Sequence, residues 1–284
     1  MNKKVLFSRM RRSAFFMTGF IGVCIMLFFC IVVRKFVPWD PVVNDLRSTF
    51  MSPEGFANGF GGHILGTDSL GRDMLARLLT GGLYSMRISF ISVTLATVIG
   101  VVMGILAGYF GGWINTVIMR LCDVLLAIPA LVMAIAVLAV LGASERNLIL
   151  VMTFSSWVGR AKIVRNEVNI LKQREFVMAS KALGAKGFHI MFRQIFPNTT
   201  TNLIIMSSQA VGMMILMESG LSYLGLGIKA PAPSWGGMIA AGRSYLVTNP
   251  WMIVVPGIAL MLTVLSFNFL GDGIRDVLDT KRKV

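Results

Sequence analysis

Long apolar runs dominate the chain and are separated by short polar segments. Five runs have about the 20 residues that a helix needs to cross the hydrocarbon core of a bilayer. They lie at Ala14–Val33, Ile88–Gly108, Val124–Gly142, Leu203–Leu221 and Trp251–Leu270. This pattern predicts an all-α integral membrane protein.

A shorter apolar run at Asn147–Gly159 ends just before Arg160. We predict that it is a sixth span that faces protein rather than lipid. Without it, the basic N-terminus and the basic segment that follows Arg160 would lie on opposite sides of the membrane, against the preference of Lys and Arg for the cytoplasm. Six transmembrane helices place both termini in the cytoplasm.

Composition agrees with this class, because 55% of the residues are hydrophobic and 14% are charged, which is too apolar for a soluble domain. The net charge of +14 could indicate nucleic acid, but the basic residues cluster beside the apolar runs and so report topology. Nucleic acid is therefore not expected as a partner. The first run is followed by Arg34 and Lys35 instead of a small-residue cleavage site, which favours a retained anchor helix over a signal peptide.

The chain divides into three predicted parts. Residues 1–35 form a cytoplasmic tail and anchor helix, residues 36–87 an extracytoplasmic segment, and residues 88–284 a core of five spans with a cytoplasmic loop at 160–200. In the second part, apolar residues recur at helical spacing after Thr67 and Asp68, either of which could cap a helix. We expect an amphipathic helix there, lying along the outer interface.

Small residues and prolines predict how the spans pack and bend. Gly100, Gly104 and Gly108 repeat at GxxxG spacing, which permits close approach of a neighbouring helix. Pro129 and the Pro256-Gly257 pair should bend their helices, because proline removes a backbone donor and clashes with the preceding turn.

A basic segment at Arg174–Asn198 interrupts the apolar pattern. Its first part is rich in small residues, and Pro197-Asn198 reads as a helix stop, so we expect a short helix outside the membrane. Small side chains on an exposed helix allow the groove of a partner protein to approach closely. The same helix could instead be held by anionic lipid through its lysines and arginines, and the pattern supports both interpretations equally.

The sequence lacks the motifs expected of a nucleotide-binding, catalytic or metal-binding site. There is no GxxxxGK[ST] loop for nucleotide phosphates and no Ser/His/Asp set, so any ATP must be hydrolysed elsewhere. Cys24, Cys30 and Cys122 have no CxxC spacing, which argues against a zinc site or a disulfide framework. The two histidines, His63 and His189, lack neighbouring ligands and are expected to be solvated or capping residues.

Few polar residues lie within the spans. Glu218, Gln209 and Asn268 are candidate pathway or gate residues, and interhelical hydrogen bonding is the alternative role. The 20 methionines include four in the long run Leu203–Leu221 (Met206, Met213, Met214 and Met217). Thioethers would suit a soft-metal pathway, but Met is also an adaptable packing residue, and packing is the favoured explanation.

Several sequence blocks together resemble a known family. Glu175-Phe-Val-x-Ala-Ser-x-Ala-Leu-Gly-Ala, followed by Ile195-Phe-Pro-Asn198, resembles the EAA loop of the permeases of binding-protein-dependent ABC importers. Further family-like blocks are His63-x-Leu-Gly-Thr-Asp68-x-x-Gly-Arg-Asp73, the segments 123–130 and 218–227, Pro233-x-Trp235-Gly, and the segment 268–276. Together they are similar to the C-type permease of the dipeptide, oligopeptide and nickel branch. Met178 and Ser180 depart from the general EAA pattern.

The resemblance implies a MetI-like bundle in the bacterial cytoplasmic membrane that works by alternating access. It implies as partners a homologous permease, two ATPase subunits that bind ATP and Mg, an extracytoplasmic binding protein and membrane lipid. It implies no enzyme activity and no cofactor in this chain. It places a coupling helix at Glu175, Ala179, Ser180, Ala182 and Gly184, seated in a groove of an ATPase subunit.

Three functions follow as hypotheses. The first is ATP-driven import of di- or oligopeptides. The second keeps this architecture and imports nickel or a metal chelate, since the binding protein selects the ligand. The third, a stand-alone ion-coupled carrier, would require more intramembrane charge than Glu218 supplies.

Overall fold

A computed structural model describes residues 3–55, 58–59 and 62–278. The described chain is mostly helical, and the all-α prediction is confirmed. In chain order the helices are α1 (Lys3–Arg12), α2 (Ala14–Ile31), α3 (Met74–Phe110), α4 (Gly112–Leu126), α5 (Ala130–Leu141), α6 (Glu145–Leu171), α7 (Glu175–Ala182), α8 (Gly187–Ile190), α9 (Phe196–Tyr223), α10 (Trp235–Gly242) and α11 (Trp251–Leu278).

Within these described ranges, four helical stretches are long and apolar enough to cross a membrane: Ala14–Phe36, Met74–Phe110, Gly187–Tyr223 and Trp251–Leu278. Helices α4 and α5 meet at an angle of 85°, and they add a fifth span if this bent pair is counted as one. The break confirms the bend predicted at Pro129, which caps α5. Pro256, in contrast, lies inside the continuous helix α11.

The predicted sixth span lies within α6. At 27 residues α6 is long enough to cross a bilayer, but Arg160, Lys162 and Arg165 make its second half polar. It is not among the stretches that qualify by apolarity. The count of six spans therefore stays a prediction, while the helix itself is present.

The prediction of a separate interfacial helix within residues 36–87 is wrong. Helix α3 runs without a break for 37 residues, so the domain boundary placed after residue 87 falls inside it. Its N-cap is Asp73, whose side chain accepts from the Ala76 amide at 2.6 Å, and not Thr67 or Asp68. The helical spacing predicted an interfacial helix because it could not show that the helix continues into the apolar run.

Helix α3 packs closely against α6 along the predicted glycine ridge. A Cβ atom placed on Gly100 would lie 2.7 Å from Arg160 Cβ, and one on Gly104 would lie 2.6 Å from Val164 Cβ. One on Gly108 would lie 2.7 Å from Val168 Cβ. These distances leave no room for a side chain, and the prediction of close helix approach is confirmed.

Glycines also allow close contact between α2 and α11. A Cβ on Gly19 of α2 would lie 2.1 Å from the Leu270 nitrogen, and one on Gly273 would lie 2.3 Å from the Phe16 backbone. Helix α11 thereby contacts α2, and it also packs on α9. Close van der Waals contact takes the place of a hydrophobic driving force within lipid.

Buried charges organise the segment before α3. Arg72 Nε donates to Asp68 Oδ2 at 2.8 Å, and Arg77 Nε lies 3.4 Å from the same oxygen. His63 Nδ1 lies 3.0 Å from Asp73 Oδ2, and Trp39 stacks on the imidazole ring. Of the two roles expected for His63, solvation is wrong, since the residue is 7% exposed. Its ring instead contacts the residue that caps α3.

We predict that Gly104→Leu destabilises the protein by about 1–3 kcal/mol, because the added side chain must force α3 and α6 apart. Thermal unfolding of the purified protein in detergent measures this. Gly159→Ala is the matched control, since a Cβ at Gly159 on α6 meets nothing within 4 Å. Equal unfolding temperatures for the two variants would contradict the close packing.

Candidate functional site

A short helix, α7, lies at the end of the bundle where α3 and α6 terminate. All eight of its residues are described, and Val177 is the one that is buried. Val177 packs in an apolar cluster with Val164, Ile190 and Leu203. Ser180 is half-buried and the other six residues are exposed, so the helix is attached along one narrow line and is free on its remaining surface.

The turn after α7 depends on Gly184. The Ala185 amide donates to the Ser180 carbonyl at 3.1 Å, and the Gly184 amide donates to the Lys181 carbonyl at 3.0 Å. This pair of bonds is the Schellman motif, which needs a left-handed residue, and Gly184 has φ of +82°. Gly184 therefore ends α7 and sets the direction of the chain that leaves it.

Lys172 holds the loop that precedes α7. Its Nζ donates to the carbonyls of Gly108 at 3.1 Å and Tyr109 at 2.7 Å, at the C-terminus of α3. A cation is favourable there because the last carbonyls of a helix carry partial negative charge. Burial, reinforced by the charge of Lys181, lowers the pKa of Lys172. The loop before α7 is thus tied to α3.

The predicted helix stop at Pro197-Asn198 is wrong. Helix α8 continues through a π-helical turn at Met191–Ile195 into α9, and Pro197 lies in the first turn of α9. Proline is tolerated at that position because the first amides of a helix lack intrahelical partners. The polar segment that contains α7 therefore lies between the end of α6 at Leu171 and the start of α8 at Gly187. The predicted bounds of the cytoplasmic loop, 160–200, stay a prediction.

The structure brings the predicted coupling residues together on α7 and its terminal turn. Glu175, Ala179, Ala182 and Gly184 are exposed, and Ser180 is half-buried. Three large apolar side chains are also exposed at this surface: Phe176 at 47%, Met178 at 52% and Leu183 at 89%. Sequence reasoning left these three out of the coupling set, although their apolar character in a polar segment was a usable signal.

Glu218 of α9 lies in the interior with an exposure of 0%. Its carboxylate accepts a hydrogen bond from Ser222 Oγ at 2.6 Å and lies 3.5 Å from Ser219 Oγ. Ser85 of α3 contributes a further hydroxyl beside it. Two serine hydroxyls of α9 therefore bond to this carboxylate, whereas Ser85 Oγ has no hydrogen-bond partner among the described residues.

The other two candidate pathway residues lie between α9 and α11. Gln209 Nε2 donates to Asp272 Oδ1 at 3.0 Å. A Cβ on Gly212 would lie 2.9 Å from Asn268 Oδ1, which places Asn268 against α9. Gln209 and Asn268 thus share an interface, while Glu218 lies about two and a half turns from Gln209 along α9.

The family model described as the binding-protein-dependent transport system inner membrane component matches residues 100–284. The chain belongs to this family. It is a permease subunit of an ABC importer, and the match includes α7, α9 and α11.

Curated relatives agree with this membership. The glutathione transport system permease protein GsiD of Pectobacterium atrosepticum is 41% identical over 221 residues, which are 78% of this chain and 73% of the relative. The dipeptide transport system permease protein DppC of Alkalihalophilus pseudofirmus is 40% identical over the same shares. GsiD of Escherichia coli is 37% identical over 276 residues, covering 97% of this chain and 89% of the relative.

A solved structure shows the fold of the permease. The inward-facing MetNI methionine ABC transporter aligns with a TM-score of 0.55 at 19% identity, covering 72% of this chain and 97% of that chain. The MetI-like bundle predicted from the sequence is confirmed at the level of the fold.

We predict that Glu218 of this permease supports the structure rather than contacting cargo. Glu218→Ala should lower the free energy of unfolding by about 1–3 kcal/mol, because buried hydroxyls lose their acceptor. Glu218→Gln keeps a side-chain oxygen for Ser222 and should have a milder effect. Thermal unfolding and transport are both measured, and altered cargo selectivity at unchanged stability would support a pathway role instead.

Proposed function

We propose that this permease imports di- or oligopeptides by alternating access, with ATP bound and hydrolysed by two partner ATPase subunits. Two permeases, this chain and a homologue, would enclose the pathway, and an extracytoplasmic binding protein would deliver the cargo. Both termini and α7 would lie in the cytoplasm. In this assembly the chain contributes half of the pathway and no chemistry.

The observation that carries the proposal is the surface of α7. Phe176, Met178 and Leu183 expose apolar side chains on a helix that lies outside the apolar spans. Exposed apolar surface rimmed by polar residues is typical of a protein interface. Glu175 and Lys181 supply such a rim. This combination favours a protein groove over a lipid surface as the partner of α7.

The names of the relatives support a peptide cargo. Glutathione is a tripeptide, and the second relative is named for dipeptides. A nickel or metal-chelate cargo gains little from the adjacent pair Met213 and Met214 of α9, because Met213 is 66% exposed while Met214 is 7% exposed, so the two side chains face different surroundings.

Co-expression with the ATPase subunits and the homologous permease tests the assembly. We expect the four components to co-purify, and peptide-loaded binding protein to stimulate ATP hydrolysis in proteoliposomes. Mass spectrometry of the ligand that co-purifies with the binding protein identifies the cargo. A permease that transports without any ATPase subunit would overturn the proposal in favour of a stand-alone carrier.

We predict that Gly184→Val abolishes transport and the coupling of ATP hydrolysis while the protein still inserts into the membrane. The reason is backbone strain, since a Cβ at Gly184 meets nothing within 4 Å but φ is +82°. Gly184→Asn is the matched control, because asparagine tolerates the left-handed region better than a β-branched residue. It should retain most of the transport activity. If both variants behave alike in the transport assay, α7 does not depend on this turn.

A further inference from the structure

Helix α7 is held to the bundle at two points, one apolar and one polar. Val177 is 4% exposed and packs in the apolar cluster beside Ile190. One turn later, the hydroxyl of Ser180 accepts a hydrogen bond from the side-chain amide of Gln194. A helix held by a single apolar side chain could rotate about that contact. The second contact fixes its orientation.

Gln194 is well placed to act as this second contact. It lies in the π-helical turn Met191–Ile195, which leads directly into α9. Asn198 Nδ2 donates to the Gln194 carbonyl at 2.5 Å, so the backbone of Gln194 is tied to the first turn of α9. π-helical turns occur mostly as single insertions within helices, often at functional positions.

The side chain of Gln194 also points into the protein. Its Oε1 atom is buried and has no hydrogen-bond partner among the residues that the structure describes. Burying an amide that is only partly satisfied is unfavourable. A solvent-exposed position would avoid that cost, so the geometry favours a specific role for the bond to Ser180.

We propose that Gln194 is a positioning residue for energy coupling, and that its side chain locks α7 to the base of α9. A push on the exposed face of α7 then moves α9, instead of turning α7 about Val177. This inference rests on the proposed function, since it assumes that a partner pushes on α7.

The test uses the complete transporter in proteoliposomes and measures the cargo transported per ATP hydrolysed. Gln194→Met keeps the length of the side chain and removes the amide. We expect the ratio to fall about two- to tenfold, as for the loss of one hydrogen bond, while co-purification with the ATPase subunits is unchanged. Gln194→Glu should restore coupling, because its carboxylate can accept from the Ser180 hydroxyl.

Gln173→Met is the matched control, because Gln173 is exposed in the turn that precedes α7. It makes the same chemical change in the same segment. We expect it to leave the ratio at the wild-type value. A fall equal to that of Gln194→Met would show that the segment is generally sensitive, and would overturn the specific role of Gln194.

Ser180→Ala removes the other partner of the bond and decides the question if Gln194→Met does not accumulate. Alone it should lower the ratio by a similar factor, and combining it with Gln194→Met should add little, since both changes remove one interaction. Wild-type coupling in Ser180→Ala, or independent additive losses, would overturn the inference. Failure of the wild-type chain to support ATP-driven transport would contradict the proposed function itself, which is a distinguishable result.

Discussion

The close contact of α3 with α6 is the interaction on which the rest of the structure depends. Gly100, Gly104 and Gly108 bring the backbone of α3 against side chains of α6. In a bilayer this contact matters more than apolar character, because lipid solvates an apolar surface as well as protein does. It lets α6, whose second half is polar, lie against the long central helix of the bundle. Residues that would be costly in lipid are thereby sheltered, as Arg160 is at 5% exposure.

The same contact determines where the candidate coupling surface lies. Because α3 and α6 pack together up to Gly108 and Val168, their ends lie together, and Lys172 can bond to the last carbonyls of α3. Helix α7 follows within a few residues, and α8 leads back into α9. A force on α7 therefore acts on two long helices through short connections. That arrangement suits a subunit that converts work done by a partner into rearrangement of a membrane bundle.

The sequence predicted some elements well and others poorly, and the difference has a physical basis. Apolar length and GxxxG spacing are local signals, so the α2 span and the glycine ridge were predicted correctly. The predicted start of the second span at Ile88 is wrong, since α3 begins at Met74. Amphipathic spacing before residue 88 looks the same in an interfacial helix and in the first turns of a span that packs against protein. Pro197 was misread as a stop, because proline ends one helix or begins another according to what precedes it.

The sequence by itself determined the membrane class, the family-like motifs and the presence of a short helix in the basic segment, because these depend on composition and on residues close together in the chain. Tertiary structure alone decided which residues in that segment contact one another. Ser180 and Gln194 are separated along the chain, and they meet because a π-helical turn and the left-handed Gly184 fold α7 back onto the base of α9. Likewise, the burial of Glu218 among serines depends on how α9 packs on α3, which apolar periodicity does not report.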